Sequence, residues 1–432
     1  MNFYNLKHKE EQLNFKEATI KGQGKDKGLF FPEDISKFSN EFLQNLPNLS
    51  NEEIAFQVMK NFAGDEIPEA ELRKIVAETI AFEIPLKKVT EDISVLELFH
   101  GPTLAFKDVG ARFMSRCLGY FLKNETRKVT VLVATSGDTG GAVANGFYDV
   151  EGIEVVILYP KNRVSPVQEK QLTALGKNIH ALEVNGSFDD CQALVKQAFS
   201  DESLNEELLL TSANSINVAR WLPQQIYYVL ALKQWLKIHS ENPVICVPSG
   251  NFGNICAGIL AHHRGLPVEH FIAACNVNDV VPEYLRTEIL KPKETVATIS
   301  NAMDVGDPSN FVRILELFDK EFNQVKNKLS GYTIDDEETL KTIERVEKDY
   351  GYVLDPHGAV AFVALEKYLT ENGGKGFFLE TAHPVKFPDS VEKATGKSVE
   401  IPKSLEELMK QEKFTTEINP QYEELKEFLL KK

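Results

Sequence analysis

Short apolar strands that alternate with helices constrain the fold of this chain more than any other feature of its sequence. Three runs rich in β-branched residues are each followed by a helical pattern: 129–135 with 140–148, 154–160 with 166–175, and 179–184 with 188–199. Continuous apolar strands with helices between them are typical of βαβ units around a buried parallel sheet.

A second block of the same kind follows. Its predicted elements are a long helix at 217–239, a strand at 244–249, a helix at 253–264, a strand at 271–276, helices at 335–350 and 357–370, and a strand at 377–382. The Lys- and Glu-rich tail is predicted to be helical. We therefore predict an α/β protein with an N-terminal, mainly helical region at 1–90, followed by two open, mostly parallel α/β domains at 91–240 and 241–432, whose segments are free to interleave.

Charge and cysteine content disfavour several function classes. The chain has 48 Lys and Arg against 64 Asp and Glu, a net charge of −16, so nucleic acid is not expected as a main partner. Its five cysteines are scattered, which predicts neither a disulfide framework nor a metal site. The N-terminus lacks the apolar core of a signal peptide, and no apolar run is long enough to span a membrane. A cytoplasmic enzyme or binding protein is expected.

Lys107 is the first candidate for catalysis. It lies in an apolar stretch, LAFKDV (104–109), after a Gly-Pro turn and at the predicted start of a helix. Loss of hydration there favours a neutral, nucleophilic amine, which suits a lysine that forms a Schiff base. The alternative is a lysine that extends towards solvent and pairs with Asp108.

Two turns between a strand and a helix are candidates for anion binding. In PSGNFGN (248–254), Gly250 and Gly253 allow backbone N–H groups to converge on a phosphate at a helix N-terminus, although an ordinary tight turn is the alternative. In ATSGDTGGAV (134–143), the hydroxyls of Ser136 and Thr139 and the adjacent amides suit a carboxylate. The GDTGG core resembles the GDSGG motif of chymotrypsin-like proteases, but Thr replaces the nucleophilic Ser and the context is α/β.

Two further segments contain polar candidates. SANSINVARW (212–221) contains Asn214, Ser215 and Arg220, whose guanidinium suits a phosphate or carboxylate. Taken alone, this segment is better explained by helix capping through Ser215 or Asn217 with a solvated arginine. Thr381, at the end of a predicted buried strand, either presents its hydroxyl to a ligand or belongs to a turn set by Pro384. A lysine suited to a Schiff base and a phosphate-binding loop together indicate pyridoxal 5′-phosphate as cofactor.

Five segments, in this order, resemble the threonine synthase family in its bacterial and fungal branch: HGPTLAFKD (100–108), ATSGDTG (134–140), NSIN (214–217), PSGNFGN (248–254) and TAHPVKF (381–387). The resemblance extends over nearly the whole chain. It implies the fold type II (tryptophan synthase β-like) class of pyridoxal-phosphate enzymes. It also implies a lyase that converts O-phospho-L-homoserine and water into L-threonine and phosphate, the last step of threonine biosynthesis.

The resemblance implies a role for each matching residue. Lys107 would form the Schiff base and remove the Cα proton. Around the cofactor, the hydroxyl of Thr381 would contact the pyridine nitrogen, Asp138 would face the ring, where many relatives have Asn, and the phosphate would be held by Gly250, Asn251, Phe252, Gly253 and Asn254. Around the substrate, the carboxylate would be bound by Ser136 and Thr139, and the phosphate by Asn214, Ser215 and Arg220. Alternatives are a serine or threonine dehydratase, a cysteine synthase, or a non-catalytic relative. Monomer and homodimer are both compatible with the sequence.

Overall fold

Two β-sheets each collect strands from distant parts of the chain. The computed structural model describes residues 1–123 and 128–431. What we call the six-stranded unit consists of Met1, Phe31–Phe106 and Trp221–Glu400, and the five-stranded unit consists of Asn2–Phe30, Lys107–Arg220 and Ile401–Lys432. The limits of these units fall at other positions than the domain boundaries predicted near residues 90 and 240, because each sheet takes strands from separate stretches of sequence.

The strands are β1 (Asn2–Asn5), β2 (Gln12–Asn14), β3 (Phe30–Pro32), β4 (Leu86–Lys88), β5 (Ile93–Glu97), β6 (Val129–Ala134), β7 (Ile153–Pro160), β8 (Ile179–Val184), β9 (Leu209–Thr211), β10 (Val244–Pro248), β11 (His270–Cys275), β12 (Leu329–Thr333), β13 (Gly376–Glu380) and β14 (Thr415–Ile418).

The α-helices are α1 (Phe15–Lys21), α2 (Asn40–Asn45), α3 (Asn51–Ala63), α4 (Glu69–Thr79), α5 (Lys107–Leu122), α6 (Asp138–Phe147), α7 (Pro166–Thr173), α8 (Phe188–Ser200), α9 (Glu202–Glu207), α10 (Val218–Trp221), α11 (Gln225–Trp235), α12 (Gly253–His263), α13 (Val280–Thr287), α14 (Phe311–Leu317), α15 (Phe322–Lys328), α16 (Asp336–Tyr350), α17 (Pro356–Asn372), α18 (Pro388–Thr395), α19 (Lys403–Lys410) and α20 (Tyr422–Leu430).

The sheet of the five-stranded unit has the order β14-β8-β7-β6-β9, and all of its neighbouring strands are parallel. Every residue of β6 is buried, as the continuous apolar run predicted. Helices α6, α7 and α8 follow β6, β7 and β8 in turn, so the predicted βαβ units are confirmed. The loops after β6 and β9 leave the same edge of the sheet, because these two strands are parallel neighbours.

The sheet of the six-stranded unit has the order β12-β11-β10-β13-β5-β4. Its strands are parallel except β4, which is antiparallel to β5. Strands β10 and β13 are neighbours, so the loops that follow their carboxyl ends also leave one edge together. Such an edge is the usual ligand-binding side of an open parallel sheet.

The predicted long helix at 217–239 is wrong in one respect. The chain forms the short helix α10, a 3-10 turn at Leu222–Gln224 and then α11, which ends at Trp235. Pro223 explains the interruption, because proline has no backbone N–H to donate and disfavours helical geometry at the residue before it.

The two ends of the chain contain strands that the sequence did not reveal. The N-terminal region is mainly helical, as predicted, but β1 also pairs antiparallel with β2. In the tail, β14 lies between α19 and α20 and pairs in parallel with β8. Three of its four residues are exposed, so it lacks the apolar pattern by which a strand is recognised. Within the described residues, none of the helices combines the length and the apolar character needed to cross a bilayer.

Candidate active site

Lys107 and Asp138 are the first residues of two helices that pack closely within the five-stranded unit. Gly146 of α6 lies against Ala111 of α5, and a Cβ atom at Gly146 would come within 3.1 Å of the Ala111 Cβ atom. The Nζ atom of Lys107 lies 3.8 Å from Oδ2 of Asp138, and the two side chains are 17% and 4% exposed. The lysine is therefore partly accessible and faces a buried carboxylate.

Gln168 orients the carboxylate of Asp138. Its Nε2 atom donates a hydrogen bond of 2.9 Å to Oδ1 of Asp138, and both side chains are buried. The same glutamine completes a capping box with Ser165 at the start of α7. No local pattern indicates the contact with Asp138, because the two residues are 30 positions apart in the chain.

The loop between β6 and α6 presents polar groups that the protein leaves unpaired. Oγ1 of Thr135 accepts hydrogen bonds from the backbone N–H groups of Gly137 (3.0 Å) and Gly140 (2.9 Å), which fixes the turn. Within the described ranges, the hydroxyls and backbone N–H groups of Ser136 and Thr139 make no hydrogen bond. Unpaired donors on a rigid, half-buried turn suit an anionic ligand group.

Asn217 fixes the loop that contains Asn214 and Ser215. Its Nδ2 atom donates to the carbonyl oxygens of Thr19 (2.9 Å) and Ser212 (3.1 Å), and its Oδ1 atom accepts from the N–H of Ala219. Asn217 is fully buried, whereas Asn214 and Ser215 are half-buried. The N-terminal segment thus anchors this loop, a role that the sequence did not indicate.

Arg220 is held inside the five-stranded unit, where it is 4% exposed. Its Nη1 atom donates to the carbonyl oxygen of Ala213. Burial lowers the pKa of the guanidinium to about 10, and the charge of Asp108 opposes that shift. The backbone of Arg220 also lies against Gly110, where an added Cβ atom would come 2.5 Å from its carbonyl oxygen. Arg220 is thus a desolvated cation beside the loop that contains Asn214 and Ser215.

In the six-stranded unit, the loop after β10 presents a group of free amides. Across residues 1–123 and 128–431, nothing accepts a hydrogen bond from the backbone N–H groups of Gly250, Phe252, Gly253 and Asn254. Phe252 has the left-handed φ of 61° and caps α12 without a side-chain hydrogen bond. Buried backbone donors without partners are rare in proteins. At the N-terminus of an 11-residue helix, such donors are well suited to an anion.

Residues from outside the motif hold this loop in place. The backbone N–H of Asn310 and its Nδ2 atom both donate to the carbonyl oxygen of Asn251, at 3.3 and 3.1 Å. Nη1 of Arg313 donates to Oδ1 of Asn310 at 2.7 Å. Arg313 is fully buried, and its guanidinium lies 4.3 Å from the ring centroid of Trp221. Sequence analysis missed these residues because they lie about 60 positions after the loop and form no motif with it.

Thr381 directly follows β13, beside β10. Its carbonyl oxygen accepts a 2.9 Å hydrogen bond from the backbone N–H of Phe106, next to Lys107 in the chain. The residue is 6% exposed, and its hydroxyl makes no hydrogen bond to any residue that the structure describes. The hydroxyl is therefore available to a ligand.

Comparison with known proteins identifies the family. Models for the N terminus of threonine synthase, for pyridoxal-phosphate-dependent enzymes and for the C-terminal part of threonine synthase match residues 2–80, 81–376 and 358–429. The chain belongs to the threonine synthase family. It is 47% identical to the threonine synthase of Escherichia coli (strain K12) over 94% of both chains, and 45% identical to that of Haemophilus influenzae over the full length of both.

Solved structures of threonine synthases agree with this membership. The crystal structure of the Escherichia coli threonine synthase covers 100% of both chains with a TM-score of 0.93 at 45% identity. The pyridoxal-phosphate-bound threonine synthase of Brucella melitensis also gives a TM-score of 0.93, at 34% identity over 100% of this chain and 99% of that one. A tomato threonine deaminase, at 14% identity and a TM-score of 0.58, shows a shared fold alone. The chain is therefore a pyridoxal-phosphate-dependent lyase of the threonine synthase family.

Proposed function

We propose that this chain converts O-phospho-L-homoserine and water into L-threonine and phosphate in the cytoplasm. The observation that carries the proposal is the group of unpaired amides after β10, which fits the phosphate of pyridoxal phosphate. A second group of unpaired donors, at Ser136 and Thr139, fits the carboxylate of an amino-acid substrate. An overall charge of −16 repels both anions, so local donors of this kind have to supply the attraction.

The residues present fit pyridoxal phosphate. In the proposal, Lys107 holds the cofactor covalently through its amine, and Gly250, Asn251, Phe252, Gly253 and Asn254 hold its phosphate. Thr381 offers its free hydroxyl to the pyridine nitrogen. A neutral hydroxyl at that position favours elimination over transamination, because it does not keep the nitrogen protonated as a carboxylate would. Asp138, oriented by Gln168, faces the cofactor ring.

Substrate contacts in the proposal come from the five-stranded unit. Ser136 and Thr139 donate to the substrate carboxylate. Asn214, Ser215 and Arg220 bind the γ-phosphate, for which a guanidinium in a desolvated setting is well suited. These three residues would form a second phosphate-binding site in addition to the one for the cofactor. Serine and threonine have no phosphate to occupy it, so it favours O-phospho-L-homoserine as substrate.

Lys107 is the proposed base. When bound, pyridoxal phosphate withdraws electrons from the substrate and so acidifies its Cα proton. The amine of Lys107 removes that proton and then a Cβ proton, after which the C–O bond at Cγ breaks and phosphate leaves. A proton returned to Cγ makes Cβ electrophilic. Water then adds at Cβ, its second proton passes to the released phosphate, and a proton returned to Cα completes L-threonine. The carboxylate of Asp138, 3.8 Å away, stabilises the ammonium that Lys107 becomes after each proton transfer.

The test is release of inorganic phosphate and L-threonine from O-phospho-L-homoserine by the purified protein, recorded with its visible absorption spectrum. We expect phosphate and threonine in equal amounts, and borohydride should fix the cofactor on Lys107. Formation of oxoacids from serine or threonine, without phosphate release, would instead establish a dehydratase. A colourless protein without a fixable cofactor would contradict the assignment of Lys107.

A further inference from the structure

His357 joins the start of α17 to a distant backbone segment. Its Nδ1 atom lies 2.5 Å from Oδ1 of Asp355, the residue that caps α17. Its Nε2 atom lies 3.2 Å from the backbone nitrogen of Ala302, which donates the hydrogen bond. Because Nε2 accepts this bond, the proton of the neutral imidazole is on Nδ1 and is donated to Asp355. The ring also packs against Phe387, with their centroids 4.8 Å apart.

Asp355 and His357 are buried and joined to their neighbours by several hydrogen bonds. Both side chains are almost fully buried. Asp355 accepts from the backbone N–H groups of His357 and Gly358, and its own backbone N–H donates to Oε1 of Glu380 at 2.7 Å. Asp355 therefore fixes Nδ1 of the imidazole, and Nε2 accepts the hydrogen bond from the backbone N–H of Ala302.

That segment, residues 300–304, packs against the backbone of Gly250 in the loop after β10. A Cβ atom at Gly250 would come 2.7 Å from the Cα atom of Met303 and 3.0 Å from the carbonyl oxygen of Ala302. Only a glycine allows this approach. We call residues 300–304 the backing segment, because its position limits where the backbone of Gly250 can lie.

The far end of the backing segment is also fixed. The carboxylate of Asp304 accepts hydrogen bonds from the backbone N–H and hydroxyl of Thr298, at 3.0 and 2.7 Å, and from Nδ2 of Asn276 at 2.9 Å. Asp304 thus fixes the end of the backing segment to Thr298 and Asn276, and His357 fixes its middle at Ala302. No second side-chain hydrogen bond to the backbone of Ala302 occurs among the residues described.

We propose that His357, oriented by Asp355, is a positioning residue that holds the backing segment against Gly250. In this way it sets the spacing of the free backbone N–H groups of Gly250, Phe252, Gly253 and Asn254. This inference rests on the proposed role of that loop in binding the cofactor phosphate. His357 itself touches neither cofactor nor substrate in this proposal. Its contribution is specific to the phosphate end of the cofactor, which separates it from a general effect on stability.

The experiment compares pyridoxal phosphate with pyridoxal, which lacks the phosphate. The full-length chain is freed of cofactor and titrated with each compound, and the ratio of the two dissociation constants is measured. His357→Leu removes the acceptor for Ala302 at similar side-chain size, whereas His357→Gln keeps an acceptor near the position of Nε2. We expect the Leu variant to lower the preference for the phosphorylated compound at least about tenfold, and the Gln variant to restore most of it.

A matched control is His270→Leu. His270 is a buried histidine of the same unit, with its Nε2 atom 2.8 Å from Oγ of Ser330 and its ring stacked on Tyr368. Its replacement removes a comparable hydrogen bond without reaching the backing segment, so the ratio should stay at the wild-type value. An equal fall in the control and in His357→Leu would overturn the proposal.

Gly250→Ala tests the role of the loop 250–254 separately from the role of His357. If this variant leaves the ratio unchanged, the loop does not bind the cofactor phosphate and the proposed function of 250–254 fails. If Gly250→Ala lowers the ratio and His357→Leu does not, the inference about His357 fails alone. Should the Leu variant not fold, His357→Asn replaces it, because the shorter amide leaves Ala302 without an acceptor; equal ratios for the Asn and Gln variants would then reject the proposal.

Discussion

The ammonium nitrogen of Lys107 lies 3.8 Å from the carboxylate of Asp138, and each residue begins a helix. The positive end of the α6 dipole favours a carboxylate at that position. Gln168 adds a hydrogen bond from the opposite side. The negative charge is therefore stabilised independently of Lys107, and it would remain so in the proposed state in which the lysine holds the cofactor covalently.

Replacement of Lys107 by Ala should abolish phosphate release from O-phospho-L-homoserine, with a loss of at least about 10²–10⁴-fold, because in the proposed mechanism one group supplies both the covalent attachment and the base. The purified variant should also lose the borohydride-fixable absorption. The conservative Lys107→Arg variant should be equally inactive, since a guanidinium stays protonated. Measurable synthase turnover in the Ala variant would remove Lys107 from the role of base.

Replacement of Gln168 by Leu should lower kcat/KM and the free energy of unfolding together. The carboxylate of Asp138 would lose its buried hydrogen-bond donor, which costs about 1–3 kcal/mol. Denaturant unfolding and steady-state kinetics measure the two effects. The control is Gln197→Leu on the exposed face of α8, which should change neither quantity. If both variants behave alike, Gln168 does not orient Asp138.

Replacement of Arg220 by Ala should raise KM for O-phospho-L-homoserine about tenfold or more and change kcat less, because the guanidinium binds the γ-phosphate in the proposed site. Inhibition by inorganic phosphate should weaken in parallel. The cavity left by this buried side chain also lowers stability, so unfolding is measured on the same preparation. A destabilised enzyme with an unchanged KM would show that Arg220 only holds the 213–217 loop.

The pH dependence of stability should change on replacement of Glu380 by Gln. Burial and the nearby carboxylate of Asp355 raise the pKa of Glu380 well above its ordinary value of 4.5. The native state therefore keeps the proton while the unfolded state loses it above about pH 4.5. The resulting stability is complete below that pH and is lost as pH rises, by at most about 1.4 kcal/mol per pH unit.

Glu380→Gln is neutral at every pH and escapes this loss. The unfolding free energy of the variant minus that of the wild type should therefore increase as pH rises from 5 to 8. Denaturant titrations of both proteins measure this difference. Glu371→Gln, at an exposed position of α17, is the control and should show no such trend. A difference between wild type and Glu380→Gln that stays constant with pH would contradict a protonated Glu380.

Sequence reasoning succeeded where the physical signal is local. The runs of β6 and β7 are mainly apolar because almost all of their residues are buried, and β8 follows the same pattern less strictly. That ligands bind at the turns after these strands stays a prediction. The apolar pattern predicted one helix through residues 217–239, but Pro223 interrupts it, because proline cannot donate a helical hydrogen bond.

Other parts of the candidate site depend on contacts between distant stretches. His357 reaches Ala302 across 55 positions, and Asn310 reaches Asn251 across 59. Neither residue has a motif around it, since its role comes from the place to which the fold carries it. Similarly, β14 is recognisable only through β8, because pairing at the edge of a sheet does not require apolar residues on both faces.

The strand order has a consequence for synthesis on the ribosome. The five-stranded sheet includes β14 near the end of the chain, although β1 and β2 of the same unit emerge first. Neither unit is complete until its last segment has emerged, at Glu400 for one and within Ile401–Lys432 for the other. The early segments must therefore wait, partly unpaired, for most of the translation time. We therefore expect nascent chains halted before residue 400 to engage chaperones rather than to bind cofactor.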